Sequence, residues 1–312
     1  MSQYVFGVDI GGTTVKLGYF DAEGNVLDKW EIPTRKEDNG SRILPDVAAS
    51  IEKKIKDAGI DRKDVAGVGV GAPGPIDSDG VVHKAANLGW GVFSIKETLE
   101  NILKLPVMAG NDANVAALGE MWKGGGQGYK DLVVVTLGTG VGGGIIVNGK
   151  MLTGANGAGG EIGHIHVEDD EQEPCGCGNR GCLEQYSSAT GVTRLAKRKL
   201  EKTTQDSVLR TSTLSAKSVF DAVKAKDPVA MEIAEQFGQY LGEGLAAIAC
   251  VTNPEAFVIG GGVSKAGPVL IDYIRPYYQK AVFHADRDVK FELATLGNDA
   301  GIYGAAKLVL DR

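Results

Sequence analysis

Two stretches of this chain share one plan, and that repetition constrains the fold most. Tyr4 to Ile10 is an apolar, strand-like run; Gly11-Gly12-Thr13-Thr14 turns it, and Val15 to Phe20 returns. Leu132 to Leu137 is a second such run; the turn from Gly138-Thr139-Gly140 to Gly144 follows, and Ile145-Ile146-Val147 returns. A β-turn-β unit repeated roughly 130 residues apart predicts two halves of similar build. A third glycine turn, Gly260-Gly261-Gly262, follows the apolar strand Ala256 to Ile259 and leads toward a helix.

Helical patterns lie between these strands. Ile43, Val47, Ile51 and Ile55 repeat every four residues, which predicts a helix over 43–56. Helices are also expected over 114–121, 190–200 and 299–310. The strongest pattern runs from Pro228 to Cys250, with Ala230, Ile233, Phe237, Leu241, Leu245 and Ile248 on one stripe and Pro228 in the first turn. Cys250, inside this apolar stretch, reads as a core residue. Residues 65–72 and 105–110 supply further strands. Alternation of strands and helices gives an α/β chain. At 312 residues it is long enough for two domains. The expected division is 1–117, with 299–312 packing back on it, and 118–298.

Charge and composition exclude some partners. The chain has 33 Lys+Arg, 40 Asp+Glu, a formal charge of −7, and no basic tract of the kind that binds nucleic acid. No apolar run reaches membrane-spanning length, and Met1-Ser2-Gln3-Tyr4 lacks the features of a secretory leader. A soluble, cytoplasmic protein with no nucleic-acid or membrane partner is expected.

In a cytoplasmic setting the cysteines read as ligands rather than disulfides. His164 precedes Cys175, Cys177 and Cys182, a C-x-C-x4-C tract whose glycines allow a tight knuckle. One imidazole and three thiolates complete a closed tetrahedral site for structural zinc; free or redox-active cysteines are the alternative. Glu161 and Glu184 flank the set, so the metal would hold two carboxylates in a fixed relation. With one ring nitrogen of His164 on zinc, the other N–H is free to donate to a ligand oxygen.

Each glycine-threonine hairpin offers backbone N–H groups at a place without bulky side chains, as a phosphate cradle requires. One alone is an ordinary turn; two in corresponding positions point to a polyphosphate. Asp9, beside the first turn, could hold the Mg²⁺ that accompanies it, or simply be solvated. Lys16 is either a phosphate contact or a surface charge. Asn111-Asp112 opens a helix. Asp112 is then either an N-cap or a base that takes a hydroxyl proton as the oxygen attacks phosphorus.

Taken together, Asp9 to Thr13, Asn111-Asp112, Gly138-Thr139-Gly140, Gly160 to His164 and Cys175 to Glu184 resemble the ROK family of sugar kinases and sugar-responsive repressors, over Val5 to about Ala306. The resemblance implies the two-domain, actin-like and hexokinase-like ATPase fold with ribonuclease H-like halves and an interdomain cleft. It implies ATP-dependent phosphorylation of a hexose 6-hydroxyl, glucose foremost and N-acetylglucosamine or N-acetylmannosamine as the alternative. It implies Asp112 as base and Asn111, Glu161, His164 and Glu184 as sugar ligands. Gly71 and Asn87 resemble residues lining the sugar pocket. Gly11, Gly12, Thr13, Thr14, Gly138, Thr139 and Gly140 resemble the phosphate loops, and Gly260, Gly261 and Gly262 the adenosine side. A homodimer or larger assembly is implied as well. Because Asp9 stands so near the start, the helix-turn-helix of the family's repressors is not expected. A non-catalytic sugar sensor is the remaining alternative, and the presence of Asp112 argues against it.

Overall fold

A computed structural model describes residues 4–312. Met1 to Gln3, part of the stretch read for a leader, lie outside the described residues. The chain forms two compact units.

The first unit runs from the N-terminal strand to Lys130, with Gly144–Gly160 and Leu296–Arg312. Its sheet contains β1 (Tyr4–Ile10), β2 (Thr14–Asp21), β3 (Val26–Pro33), β4 (Val65–Ala72) and β5 (Val107–Asn111), in the order β3-β2-β1-β4-β5. The three strands first in the chain form an antiparallel meander, and β4 and β5 add on parallel to β1. The interior strands are buried on both faces, which explains their continuous apolar runs. Register aligns Asp9 with Gly71, and Gly71 with Gly110. The carboxyl ends of three parallel strands thus bring Asp9, Gly71 and the Asn111-Asp112 pair to one edge, where ligands of α/β sheets bind.

The helix after β5 spans Asp112–Lys123. It packs against the C-terminal helix Ala300–Leu310 so closely that a side chain at Gly119 or Gly304 would run into the other helix's backbone. A division at 117/118, as expected from sequence, would cut this helix in two. The unit instead continues to Lys130 and takes in Gly144–Gly160, where Gly159 accepts a bond from Asn114 Nδ2 at 2.9 Å. Sequence proximity misled here because chain order does not report this helix pairing.

The second unit comprises Asp131–Gly143 and Glu161–Thr295. The second sheet contains β6 (Leu132–Leu137), β7 (Val141–Val147), β8 (Lys150–Met151), β9 (Ala256–Gly260) and β10 (Lys290–Leu293), ordered β8-β7-β6-β9-β10. β9 pairs parallel with both β6 and β10. The long helix, Pro228–Thr252, starts at an Asp227 cap and buries its predicted stripe completely or nearly so. Cys250, expected in the core, is exposed. It stands two residues past Ile248, about 200° around the helix and off the apolar stripe. Among the described residues no helix is long and apolar enough to cross a membrane.

Candidate active site

In the first unit, Gly11 N–H bonds Thr14 O at 3.0 Å to close the first turn, and Thr34 Oγ1 donates to Gly11 O at 2.7 Å. Gly12 has open space around it and Thr13 is exposed, so this turn presents backbone and a hydroxyl outward. Lys16 Nζ donates to Asn298 O at 2.9 Å. Asp9 is partly buried, and its carboxyl is raised to about 6 by burial first, then by the charge of Asp112, against the opposing pull of Lys16. A carboxyl so crowded by negative charge suits a hard cation, which would reverse the shift.

Asn111, not Asp112, caps the helix. Its Oδ1 accepts from Ala113 and Asn114 N–H at 3.0 and 3.2 Å, while Nδ2 donates to Gly74 O at 3.0 Å. Asp112 therefore occupies the first helical position, and its Oδ1 accepts from Ala113 N–H at 2.8 Å. Burial raises its pKa and the local N–H donors only partly oppose this. A raised carboxylate is a stronger base, as proton abstraction from a hydroxyl needs. Gly71 packs on Val115, beside the Asp112 backbone. In the Asn87-Leu88-Gly89-Trp90 segment, Leu88 and Trp90 are core residues and Asn87 is exposed.

In the second unit the cluster forms as spacing predicts. The ligand atoms of His164, Cys175, Cys177 and Cys182 all lie within 4.8 Å of one another. Cys177 Sγ is 3.7 Å from Cys182 Sγ, and Cys175 Sγ is 3.8 Å from His164 Nδ1. A tetrahedron with bonds of roughly 2.3 Å has edges of about 3.8 Å, so the donor set fits zinc. Nδ1 faces the thiols. Nε2 faces away, 4.0 Å from Glu161 Oε2. Glu184 turns Oε1 to Cys175 Sγ at 2.9 Å and accepts from Val141 N–H on Oε2 at 3.4 Å. The knuckle is anchored from behind by Glu171, fully buried, which pairs with Arg194 at 2.6 Å and Arg198 at 3.0 Å and accepts from Tyr186 OH.

The second turn, Gly138-Thr139-Gly140, is closed by Gly138 N–H to Gly140 O at 3.0 Å, with Thr139 exposed at its tip. A cavity of about 630 Å³ opens beside Thr139, lined by Thr190, Thr193, Lys197, Ser215 and others. Gly261 adopts φ +84° against the backbone of Leu137, which ties the third turn to the end of β6. Gly262 lines a smaller cavity of about 150 Å³ with Phe220 and Lys265. Sequence reasoning missed Gly301, whose lack of a side chain makes room for Asp9, and the residues walling the Thr139 cavity. A glycine in the first turn of an otherwise good helix was the available signal for Gly301; the cavity wall carries none.

A family model, the ROK family, matches residues 5–312. This chain belongs to the ROK family. Among its ROK relatives is a glucokinase of Halalkalibacterium halodurans, 44% identical over 98% of this chain and 95% of that protein. A ROK glucokinase of Streptomyces griseus, solved in complex with glucose and AMPPNP, is 36% identical, with TM-score 0.76 over 98% of both chains. A ROK hexokinase of Thermus thermophilus is 32% identical, with TM-score 0.82 over 98% of this chain and 97% of that one. The α/β, hexokinase-like fold is thus that of the ROK sugar kinases, and this ROK chain is a hexokinase-type kinase.

Proposed function

We propose that this protein is an ATP-dependent glucokinase that transfers the γ-phosphoryl group to the 6-hydroxyl of glucose. The observation that carries the reading is Asp112, a part-buried carboxylate of raised basicity at the first position of a helix. Similarity to glucokinases over nearly the full chain supports it.

Asp112 accepts the O6 proton as O6 attacks phosphorus. The new O6–P bond forms, the P–O bond to ADP breaks, and glucose 6-phosphate and ADP result. Asn111 and Gly71 border Asp112, and Asn87 is the exposed polar group of its segment. Glu161, His164 Nε2 and Glu184 are the partners of the other hexose hydroxyls. The turns Gly11 to Thr14 and Gly138 to Gly140 hold the phosphates through backbone N–H groups, with Lys16 nearby, and Gly260 to Gly262 serves the adenosine side. Bound Mg²⁺ would neutralise polyphosphate charge beside Asp9. His164 Nδ1 and the three cysteines would hold zinc, which would fix the tautomer that leaves Nε2–H to donate. The composition supports a cytoplasmic setting, and a homodimer or larger assembly is the expected state.

A coupled assay with ATP across glucose, mannose, fructose and the N-acetyl hexosamines tests the reading. Glucose should turn over fastest; a small fraction of the N-acetylglucosamine rate would overturn it. Asp112→Asn should lower kcat on the order of 10²–10⁴-fold while glucose still binds. Unchanged turnover would remove Asp112 from its role.

A further inference from the structure

We propose that Gly140 is a positioning residue for the hexose. The absence of a side chain at 140 seats the Glu184 carboxylate, so the second glycine-threonine turn serves the sugar as well as the nucleotide. This rests on the reading of Glu184 as a hexose ligand.

Three observations converge on this seat. First, a Cβ at residue 140 would overlap Glu184 Oε2, and among the described residues beyond its two chain neighbours the one other atom within 4 Å is Glu184 Cδ, at 3.6 Å. Second, the backbone of Gly140 is not in the left-handed region, so alanine would be tolerated there conformationally. What excludes a side chain is the carboxylate, not the turn. Third, the next residue, Val141, donates its N–H to the same Oε2 at 3.4 Å.

The sugar-facing turn leans on the same place. Gly163, between Glu161 and His164, packs so tightly against the Val141 carbonyl that any side chain would collide with it. Both the Ile162–His164 turn and Glu184 are thus registered to residues 140 and 141.

The test is calorimetric binding of glucose alone, and of MgAMPPNP alone, to zinc-loaded full-length Gly140→Ala, beside wild type and Gly138→Ala. At residue 138 an added Cβ meets nothing nearer than Gly140 O, at 4.0 Å. The expected result for Gly140→Ala is glucose binding weakened by about tenfold or more, a larger loss than any in MgAMPPNP binding. The steady-state KM for glucose should rise by a larger factor than the KM for ATP. Gly138→Ala, whose added Cβ does not reach Glu184, should lose less glucose affinity than Gly140→Ala. Gly140→Ala binding glucose like wild type would overturn the inference, as would an equal glucose loss in Gly138→Ala. A wild-type protein that does not bind glucose would remove the reading of Glu184 itself, and the inference with it. Should Gly140→Ala fail to fold, hydrogen exchange on wild type decides: glucose alone should slow exchange at the Val141 amide, and an unchanged rate overturns the inference.

Discussion

Asp9 and Gly301 are in direct contact: a methyl group at position 301 would come within 2.6 Å of Asp9 Cγ. The first turn of the C-terminal helix therefore forms one wall around this carboxylate. Gly301→Ala should push Asp9 off its position and raise the KM for MgATP, lower kcat, or both. Alanine favours an exposed helix by about 1 kcal/mol over glycine, so a small gain in intrinsic helicity opposes any loss of packing. Steady-state kinetics at varied Mg²⁺ decide. Wild-type kinetics in a variant of unchanged or raised melting temperature would end the proposed role.

The same carboxyl makes stability pH-dependent. Its folded pKa, about 6, lies above the unfolded value of 3.8, so the folded state binds the proton more tightly. That contribution is fully present below about pH 3.8 and is lost as pH rises through 6. The two values differ by about 2 units, on the order of 3 kcal/mol at most. Asp9→Asn should thus be more stable than wild type at pH 7.5, by up to that amount, and nearly equal near pH 4. Urea unfolding of both proteins without Mg²⁺ at each pH measures it. A pH-independent difference would sink the assignment.

Zinc should be stoichiometric. Metal analysis of the purified protein should give about one equivalent, and Cys182→Ala, which removes a buried ligand, should lose it. Glucose binding should weaken with it, because Cys182 stands two residues before Glu184. A zinc-free Cys182→Ala that binds glucose normally would show that the metal does not shape the sugar side.

Glu171 should be a stability residue. Burial pushes its carboxyl up, but hydrogen bonds from Arg198 and Tyr186 prevail and hold it well below the usual range. Its side chain is 0% exposed, and Arg194 is only 16% exposed. Glu171→Ala leaves Arg194 and Arg198 paired only with the exposed Glu173, at a cost of at most about 3–5 kcal/mol, the scale of a broken buried pair. Denaturant unfolding would register this as a lower midpoint. A shift under about 0.5 kcal/mol, the scale of surface substitutions, would mean that solvent reaches the arginines easily.

Much of the site was legible because its signals are local. The turn glycines follow strands of visible apolar character, and the cysteines stand within one knuckle. His164 is only eleven residues ahead of Cys175, so the ligand set could be counted from spacing. Asp112 was legible as a helix start, but not as the first helical residue behind an Asn111 cap. That distinction turns on Asn111 Oδ1 reaching back to two N–H groups, which either residue type can do. Cys250 was misread for a related reason: an apolar neighbourhood in sequence is not one face of a helix.

The sequence by itself determined the strands and helices of strong apolar pattern, the α/β alternation, the two glycine-threonine turns and the candidate set of metal ligands. All of these follow from short-range periodicity and residue chemistry. Only the tertiary structure decided that Nδ1 of His164 faces the thiols, that residues 144–160 join the first unit, and that Gly301 abuts Asp9 and Gly140 abuts Glu184. These are contacts between segments far apart in the chain. Close packing sets them to within a methyl group's width, and strand and helix periods carry no record of which distant residue fills the space.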